Sequence, residues 1–238
     1  GLGVGSSNSL SKDTDLALAI GTKLGDFTTG SWSNFHNNDF KLVSINTARF
    51  DVTKHLAIPV ISDAKIGLIE LSNALGEWKA PSKWYKKAIS EKEVWDKYIE
   101  KQSGPTNQEL PSYAHAVGAI YRNAEPSDIV VTAAGGLVGE VVQIWKPKQL
   151  NTFETEWGFS CMGYEISGAL GIKMAKPKQE VIVFIGDGSY LLHNSDIYSS
   201  VIYDKKLIIV VCDNGGHMVI NRLQLAKGGK EYICNLKT

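Results

Sequence analysis

Long apolar stretches are missing from this 238-residue chain. The longest runs, Val181-Ile182-Val183-Phe184-Ile185 and Leu207-Ile208-Ile209-Val210-Val211-Cys212, are strand-sized, far short of the roughly 20 residues of a membrane span. Cysteine is scarce. Cys161, Cys212 and Cys234 show no metal-ligand spacing, and two of them lie in or beside apolar segments, as buried free thiols do. That usage favours a reducing, cytoplasmic setting. Neither sign of charge prevails: 25 basic residues face 25 acidic ones, with no polybasic block, so nothing directs the chain to nucleic acid or to an anionic membrane. Gly21 and Gly25 follow the first apolar segment without forming GxGxxG, which leaves nicotinamide or flavin binding unsupported. His36, His55 and His115 make no HxxxH or HExxH pair, so no zinc site is expected. The N-terminal Gly1-Leu2-Gly3-Val4-Gly5 has no basic region of a signal peptide, and the absence of an initiator methionine points to part of a longer polypeptide. Repeats and low-complexity tracts are lacking too.

What the chain does have is alternation. Asp15–Gly21, Lys41–Asn46 and Pro59–Asp63 read as buried parallel strands, and Ala64–Leu75 carries Ile66, Ile69, Leu71 and Leu75 at helical spacing. A small parallel α/β domain over residues 1–76 is the expectation. Residues 77–112 change character, with Trp78, Trp84 and Trp95, many Lys and Glu, and breakers at Pro81, Gly104-Pro105 and Pro111. They read as a linker with a charged helix near 83–101. Alternation then resumes over 113–238: a helix near 112–122, a strand at Asp128–Thr132, a helix near 161–175, a strand at 181–185, a helix near 189–203 and a strand at 207–212. The fold class is α/β, two parallel-sheet domains joined by a linker.

The chemistry gathers at two strand ends. Gly186-Asp187-Gly188 closes one apolar run and Asp213-Asn214 the next, with 25 residues between Gly188 and Asn214, room for one helical crossover and a strand. In a right-handed βαβ unit those two strands finish side by side at the edge where open α/β folds bind ligands. A carboxylate, an amide oxygen and a nearby backbone carbonyl make an oxygen-only site that suits magnesium when phosphates supply the remaining ligands. Taken singly, Asp187 also reads as a helix N-cap and Asn214 as a turn residue. Those alternatives leave the register of the pair unexplained.

The Gly-Asp-Gly to Asn spacing, continued by Gly215-Gly216, resembles the cofactor motif of thiamine-diphosphate enzymes, and the likeness runs through nearly the whole chain. The resemblance implies a middle domain over 1–76 and a thiamine-diphosphate-binding domain over 113–238, each a three-layer α/β unit. It implies magnesium held by the Asp187 carboxylate, the Asn214 side-chain oxygen and the Gly216 carbonyl. Gly186 would let the backbone approach the diphosphate, and the N–H groups of Gly188 and Ser189 would face it. Met162, in Gly158-Phe159-Ser160-Cys161-Met162-Gly163-Tyr164, matches the apolar wedge beneath the cofactor, and the Ser160 carbonyl would accept from its amino group; an isolated methionine in the core is the plainer alternative. Gly135-Gly136, after a strand, would approach the diphosphate as well. Segments 26–32 (Asp26-Phe27-Thr28-Thr29-Gly30-Ser31-Trp32), 132–136 and 157–165 (Trp157 to Glu165) look like the branch that hydrolyses a cyclic 1,2-dione in myo-inositol catabolism.

That branch implies C–C bond hydrolysis of a small cyclic dione in a homodimer or homotetramer. An acetolactate synthase-like carboligase or 2-keto acid decarboxylase would share the whole cofactor site, and a non-catalytic regulatory or assembly module is the alternative of another class. Gly215-Gly216-His217 departs from the family's more usual Ser-Gly-aromatic sequence, so His217 would line the site or lie on the surface; His193 is ambiguous in the same way. The family's activating glutamate belongs to an N-terminal pyrimidine-binding domain that nothing in residues 1–238 matches. Glu140, Glu154, Glu156 and Glu165 are not assigned to it. A fragment lacking that domain, and short of residues near Ser6-Ser7-Asn8, is the expectation.

Overall fold

A computed structural model describes residues 4–156 and 158–236; the N-terminal Gly1-Leu2-Gly3, Trp157 at the head of the branch-like segment, and Lys237-Thr238 lie outside the described residues. The chain divides into two compact units, Gly1–Tyr98 and Ile99–Thr238. Along the first run α1 (Gly5–Asp13), β1 (Leu16–Ile20), α2 (Asp26–Thr29), β2 (Lys41–Asn46), α3 (Arg49–Val52), β3 (Ile58–Ile61) and α4 (Ala64–Leu75). The charged helix α5 spans Ser82–Ser103, and the division between units falls within it. The second unit continues with α6 (Tyr113–Asn123), β4 (Ile129–Thr132), α7 (Leu137–Ile144), β5 (Phe153–Thr155), α8 (Tyr164–Ala175), β6 (Val181–Gly186), α9 (Asp187–Leu192), α10 (Asp196–Ile202), β7 (Ile208–Cys212) and α11 (Met218–Ala226). Both sheets are parallel throughout, as the alternation of strands and helices predicts. Among the described residues no helix is long and apolar enough to cross a membrane.

The first unit's sheet has the order β1-β2-β3. Because side chains alternate across a strand, Ala19 and Leu42 share one face, where they pack with Ala57, Trp32 and Phe40. Ile45 faces the other way onto α4: a Cβ added to Gly67 would lie 2.8 Å from its Cγ2, so glycine sets how closely that helix approaches. Asp63 starts α4, its Oδ1 accepting the Lys65 and Ile66 N–H groups at 2.9 and 3.3 Å, and Gly76 at φ 53° ends it.

The second sheet has the order β5-β4-β6-β7. Its central strands β4 and β6 are buried along almost their whole length, as parallel strands covered on both faces must be. Ile129, Val131, Val181, Val183 and Ile185 pack on Ile166 and Ala169 of α8. On the opposite face, Phe184 meets Trp145 edge-on at 6.0 Å, beside the apolar stripe of α7 (Leu137, Val138, Val141, Ile144). α6 carries a capping box: the Ser112 hydroxyl accepts the His115 N–H at 3.3 Å, and His115 Nδ1 accepts the Ser112 N–H at 3.2 Å.

Several expectations change. β3, expected to be buried, is exposed at every residue as an edge strand of its sheet. The helix near 189–203 is two helices, with α9 starting at Asp187 itself and a break at His193, whose backbone leaves the helical region (φ −152°, ψ 64°). A new turn starts just after it, where the Asn194 carbonyl accepts the Ile197 N–H at 3.1 Å and Ser195 occupies the cap position of α10 without a side-chain capping bond. The helix near 161–175 starts only at Tyr164, because Gly163 at φ 95° turns the chain into it. Cys161 and Met162 are therefore loop residues.

Candidate functional site

Four parallel strands finish at one edge of the second sheet, and each delivers a loop there: residues 133–136 after β4, 156–163 after β5, 186–189 at the β6–α9 junction and 213–217 after β7. Gly186 lies opposite Cys212 in the register of β6 and β7, so Asp187 and Asp213-Asn214 leave adjacent strands at nearly the same level. All ten residues singled out for cofactor or metal binding (Gly135, Gly136, Ser160, Met162, Gly186, Asp187, Gly188, Ser189, Asn214 and Gly216) lie on these loops.

Asp187 is the first residue of α9, not its cap. Gly186 occupies the cap position, with extended φ/ψ and no side-chain capping bond. Asp187 is buried, 8% exposed as a whole residue, and no described residue donates a hydrogen bond to its carboxylate or pairs with its charge. That leaves its oxygens open to a cation. Asn214 does make a turn, its Oδ1 accepting the Gly216 N–H at 3.2 Å, but its Nδ2 also donates to the Tyr113 hydroxyl. That hydroxyl in turn donates to the Cys212 carbonyl at 3.5 Å. Burial first, then the Cys212 and Asp187 charges, raises the Tyr113 pKa above the phenol value, which keeps the proton available for donation. Sequence reasoning missed Tyr113, since no motif marks a helix-start tyrosine 101 positions from its partner.

Gly216 is held at φ 145° by an antiparallel bridge to Asn235. A Cβ there would meet the Cys234 carbonyl at 2.1 Å, so only glycine fits. Its carbonyl accepts the Met218 N–H at 2.9 Å. The His217 imidazole lies beside Gly188, where an added Cβ would be 2.6 Å from Cε1, so this histidine lines the loop cluster. His193, just past α9, lies against Gly163 in the same manner.

Gly135 at φ 77°, on the loop after β4, and Gly186, at the β6–α9 junction, have open space where a side chain would stand. Ser160 adopts φ 54°, and its hydroxyl donates to the Ala133 carbonyl at 3.4 Å. Glu156 accepts the Phe159 and Cys161 N–H groups at 2.8 Å each; these bonds hold its carboxyl below the usual value and shape the turn that presents Met162. Met162 is 36% exposed, so it is not a core methionine. Glu165 is fully buried, accepting the Ala134 and Gly163 N–H groups at 3.1 and 2.9 Å; burial raises its pKa and these bonds partly offset the shift. Burial likewise raises the pKa of Glu140, on α7, against an opposing pull from Arg222. Among the described residues no three His, Cys, Asp or Glu groups gather as a metal cage. A cation here would rest on one carboxylate, neutral oxygens and whatever its ligand brings, the chemistry of a magnesium–phosphate site. The buried acid and the open glycine backbone fit that group.

Residues 133–237 match the family described as thiamine pyrophosphate enzyme, C-terminal TPP binding domain, and residues 2–71 match thiamine pyrophosphate enzyme, central domain. Among curated proteins the chain is similar to 3D-(3,5/4)-trihydroxycyclohexane-1,2-dione hydrolase of Lacticaseibacillus casei, 33% identical over all of this chain and 40% of the relative. The protein of the same name from Clostridium tetani is 34% identical over 100% of this chain and 41% of its own length, and that from Geobacillus thermodenitrificans 32% over 97% and 39%. The chain thus spans about 40% of the length of these relatives. The first alignment runs over 263 positions against 238 residues, so at least 25 positions fall opposite gaps in this chain.

Proposed function

Because the chain belongs to the thiamine pyrophosphate enzymes, with matches to their central and TPP-binding domains, we propose that the four-loop edge holds thiamine diphosphate together with Mg2+. One observation carries the reading: a buried, unpartnered carboxylate, Asp187, set by strand register beside Asn214 and next to open glycine backbone. Asp187 would bind the cation by its carboxylate, Asn214 by Oδ1 and Gly216 by its carbonyl. The N–H groups of Gly188 and Ser189 would face the diphosphate, and Gly135, Gly136 and Gly186 would let it approach. Met162 would support the rings from below as an apolar wedge, with the Ser160 carbonyl accepting from the ring amino group. When bound, thiamine diphosphate supplies a nucleophilic carbon and an electron sink for breaking a C–C bond.

For the complete protein, the reading is hydrolysis of a ring C–C bond in trihydroxycyclohexane-1,2-dione to a 5-deoxyglucuronate, a step of inositol catabolism in the cytoplasm. It is supported by the name shared by these relatives, which align with nearly all of this chain. A homo-oligomer is part of the proposal: Tyr198, Val201 and Ile202 on α10 are 77%, 74% and 71% exposed, an apolar patch of the kind subunits bury.

Calorimetry tests the site. Asp187→Ala should weaken Mg2+-dependent thiamine diphosphate binding by about 100-fold, the upper range for loss of a group that orients a metal site; unchanged affinity removes the metal assignment. Incubating the complete protein with the cyclic dione and with pyruvate tests the reaction, and acetolactate from pyruvate beside an untouched dione overturns the substrate.

A further inference from the structure

Glu165 stands on the first turn of α8 with no exposed surface. No described Lys, Arg or His pairs with it. Its two oxygens serve two different loops: Oε1 accepts the N–H of Ala134, next to Gly135-Gly136, and Oε2 accepts the N–H of Gly163, next to Met162. The two loops leave different strands, β4 and β5, and their other described side-chain tie is the longer Ser160 to Ala133 bond at 3.4 Å. A buried carboxylate without a cation is an expensive way to fill a core, and apolar residues of similar volume commonly fill such positions with equal or better stability. What an apolar residue cannot do is accept two N–H groups at once and fix the separation of the backbones that carry them.

We propose that Glu165 is a positioning residue, its carboxylate clamping the 133–136 loop to the Met162 loop so that the two sides of the cofactor cleft are formed before thiamine diphosphate arrives. This rests on the cofactor reading given above. It also separates Glu165 from any role in activating the cofactor, since both oxygens are already engaged by backbone and neither reaches solvent. The clamp is asymmetric toward its nearest isostere. Glutamine offers one acceptor oxygen and turns an NH2 group toward the other N–H, so Glu165→Gln releases one loop while leaving the volume of the core unchanged.

The test uses the complete protein and two readouts. In Glu165→Gln, hydrogen exchange should accelerate at Ala134 or Gly163 while amides of β6 and β7 keep their protection, and thiamine diphosphate should bind about tenfold more weakly, the lower range for loss of a supporting hydrogen-bond partner. Unchanged exchange at both amides, or unchanged cofactor affinity despite faster exchange, overturns the proposal. Faster exchange spread evenly over the whole sheet, with affinity restored once the unfolded fraction is subtracted, also overturns it, because Glu165 then serves only the core. Should Glu165→Gln fail to fold, Glu165→Asp takes its place; it keeps the charge but falls one methylene short of spanning both loops, and the same outcomes apply. If the unsubstituted protein binds no thiamine diphosphate, the cofactor reading fails first and the clamp's role falls with it, a result visible before any substitution is made.

Discussion

The two units put the same parallel-sheet architecture to different tests. In the second, β4 and β6 are buried along almost their whole length, with α8 on one face and α7 on the other. In the first, every residue of β3 (Ile58, Pro59, Val60, Ile61) is exposed, as are Leu16 and Leu18 of β1. Among the described residues, Ala19, Leu42 and Ala57 form a buried cluster on one face, and Ile45 and Val52 are buried elsewhere in the unit. A parallel sheet gains its stability from cover on both faces. One unit therefore has what it needs to stand alone, while the other presents apolar strands that ask for more cover than its own described residues give. The lesson concerns where precision sits. The four loops of the candidate site emerge from the better covered sheet.

The largest expected effect comes from cutting the chain. Residues 82–238, which keep α5 whole, should unfold cooperatively in urea, and residues 1–81 should show no such transition and should bind a hydrophobic dye. An equally sharp transition in both pieces breaks the comparison. Next are single core changes. Phe184→Ala should cost about 3–5 kcal/mol, whereas Val60→Ala, at an exposed position, should cost under about 1 kcal/mol in chemical denaturation. Glycine contacts give a matched pair. Gly118→Ala puts a Cβ 2.1 Å from the Ser103 carbonyl oxygen and should destabilise by about 3 kcal/mol. Gly67→Ala is tight only against the Ile45 Cγ2 methyl at 2.8 Å, with ordinary contacts at 3.5 Å to Ile45 Cδ1 and Ser62 Cβ, and should cost about 1 kcal/mol, helix propensity returning part of the strain.

A smaller effect is tied to pH. Burial pushes the Cys212 thiol up to about 11 from 9.0. The folded state therefore holds this proton more tightly than the unfolded state does. That stabilisation is complete below pH 9 and is lost as pH climbs from 9 toward 11, by at most about 2.7 kcal/mol. Stability measured against pH in the protein and in Cys212→Ala should diverge in that window alone; parallel curves refute the assignment. Under native conditions a thiol reagent should label Cys161 quickly and Cys212 and Cys234 only after unfolding, since the first is exposed and the other two buried. The smallest change runs in the opposite direction. Asp187→Asn, which removes a buried charge that nothing offsets, should stabilise the cofactor-free protein by about 1 kcal/mol. A loss of stability would mean that the carboxylate has a structural partner.

Legibility in the sequence followed burial. The strand at 181–185 stood out because a central parallel strand reads as an unbroken apolar run, the edge strand at 207–212 by a comparable apolar run, and the helix at Ala64–Leu75 because Asp63 and Gly76 mark its ends chemically. Several elements went unread. α2 and α3 have four residues each, a single turn with no room for a helical period. β5 has three residues, too few for any period to show. α7 carries its stripe at Leu137, Val138, Val141 and Ile144, but Gly135, Gly136 and Gly139 disguise its start as loop. α1 is polar and buries nothing, so no pattern could announce it. At the site, the strand-end pair was readable because spacing fixes register. Tyr113 and Glu165 were not: each acts through two hydrogen bonds that tie segments distant in sequence or on separate loops, and such contacts leave no periodic trace.

The bridge between Gly216 and Asn235 carries a further meaning. The Gly215 carbonyl accepts the Leu236 N–H at 2.8 Å, and the His217 N–H donates to the Cys234 carbonyl at 2.7 Å, so the loop after β7 is shaped by a segment some twenty positions downstream. On a ribosome, the sheet can assemble and bury its core well before that segment has left the exit tunnel. The loop after β7 takes its shape only when residues 234–236 fold back onto it, so the form of this sheet edge is set after the strands that carry it.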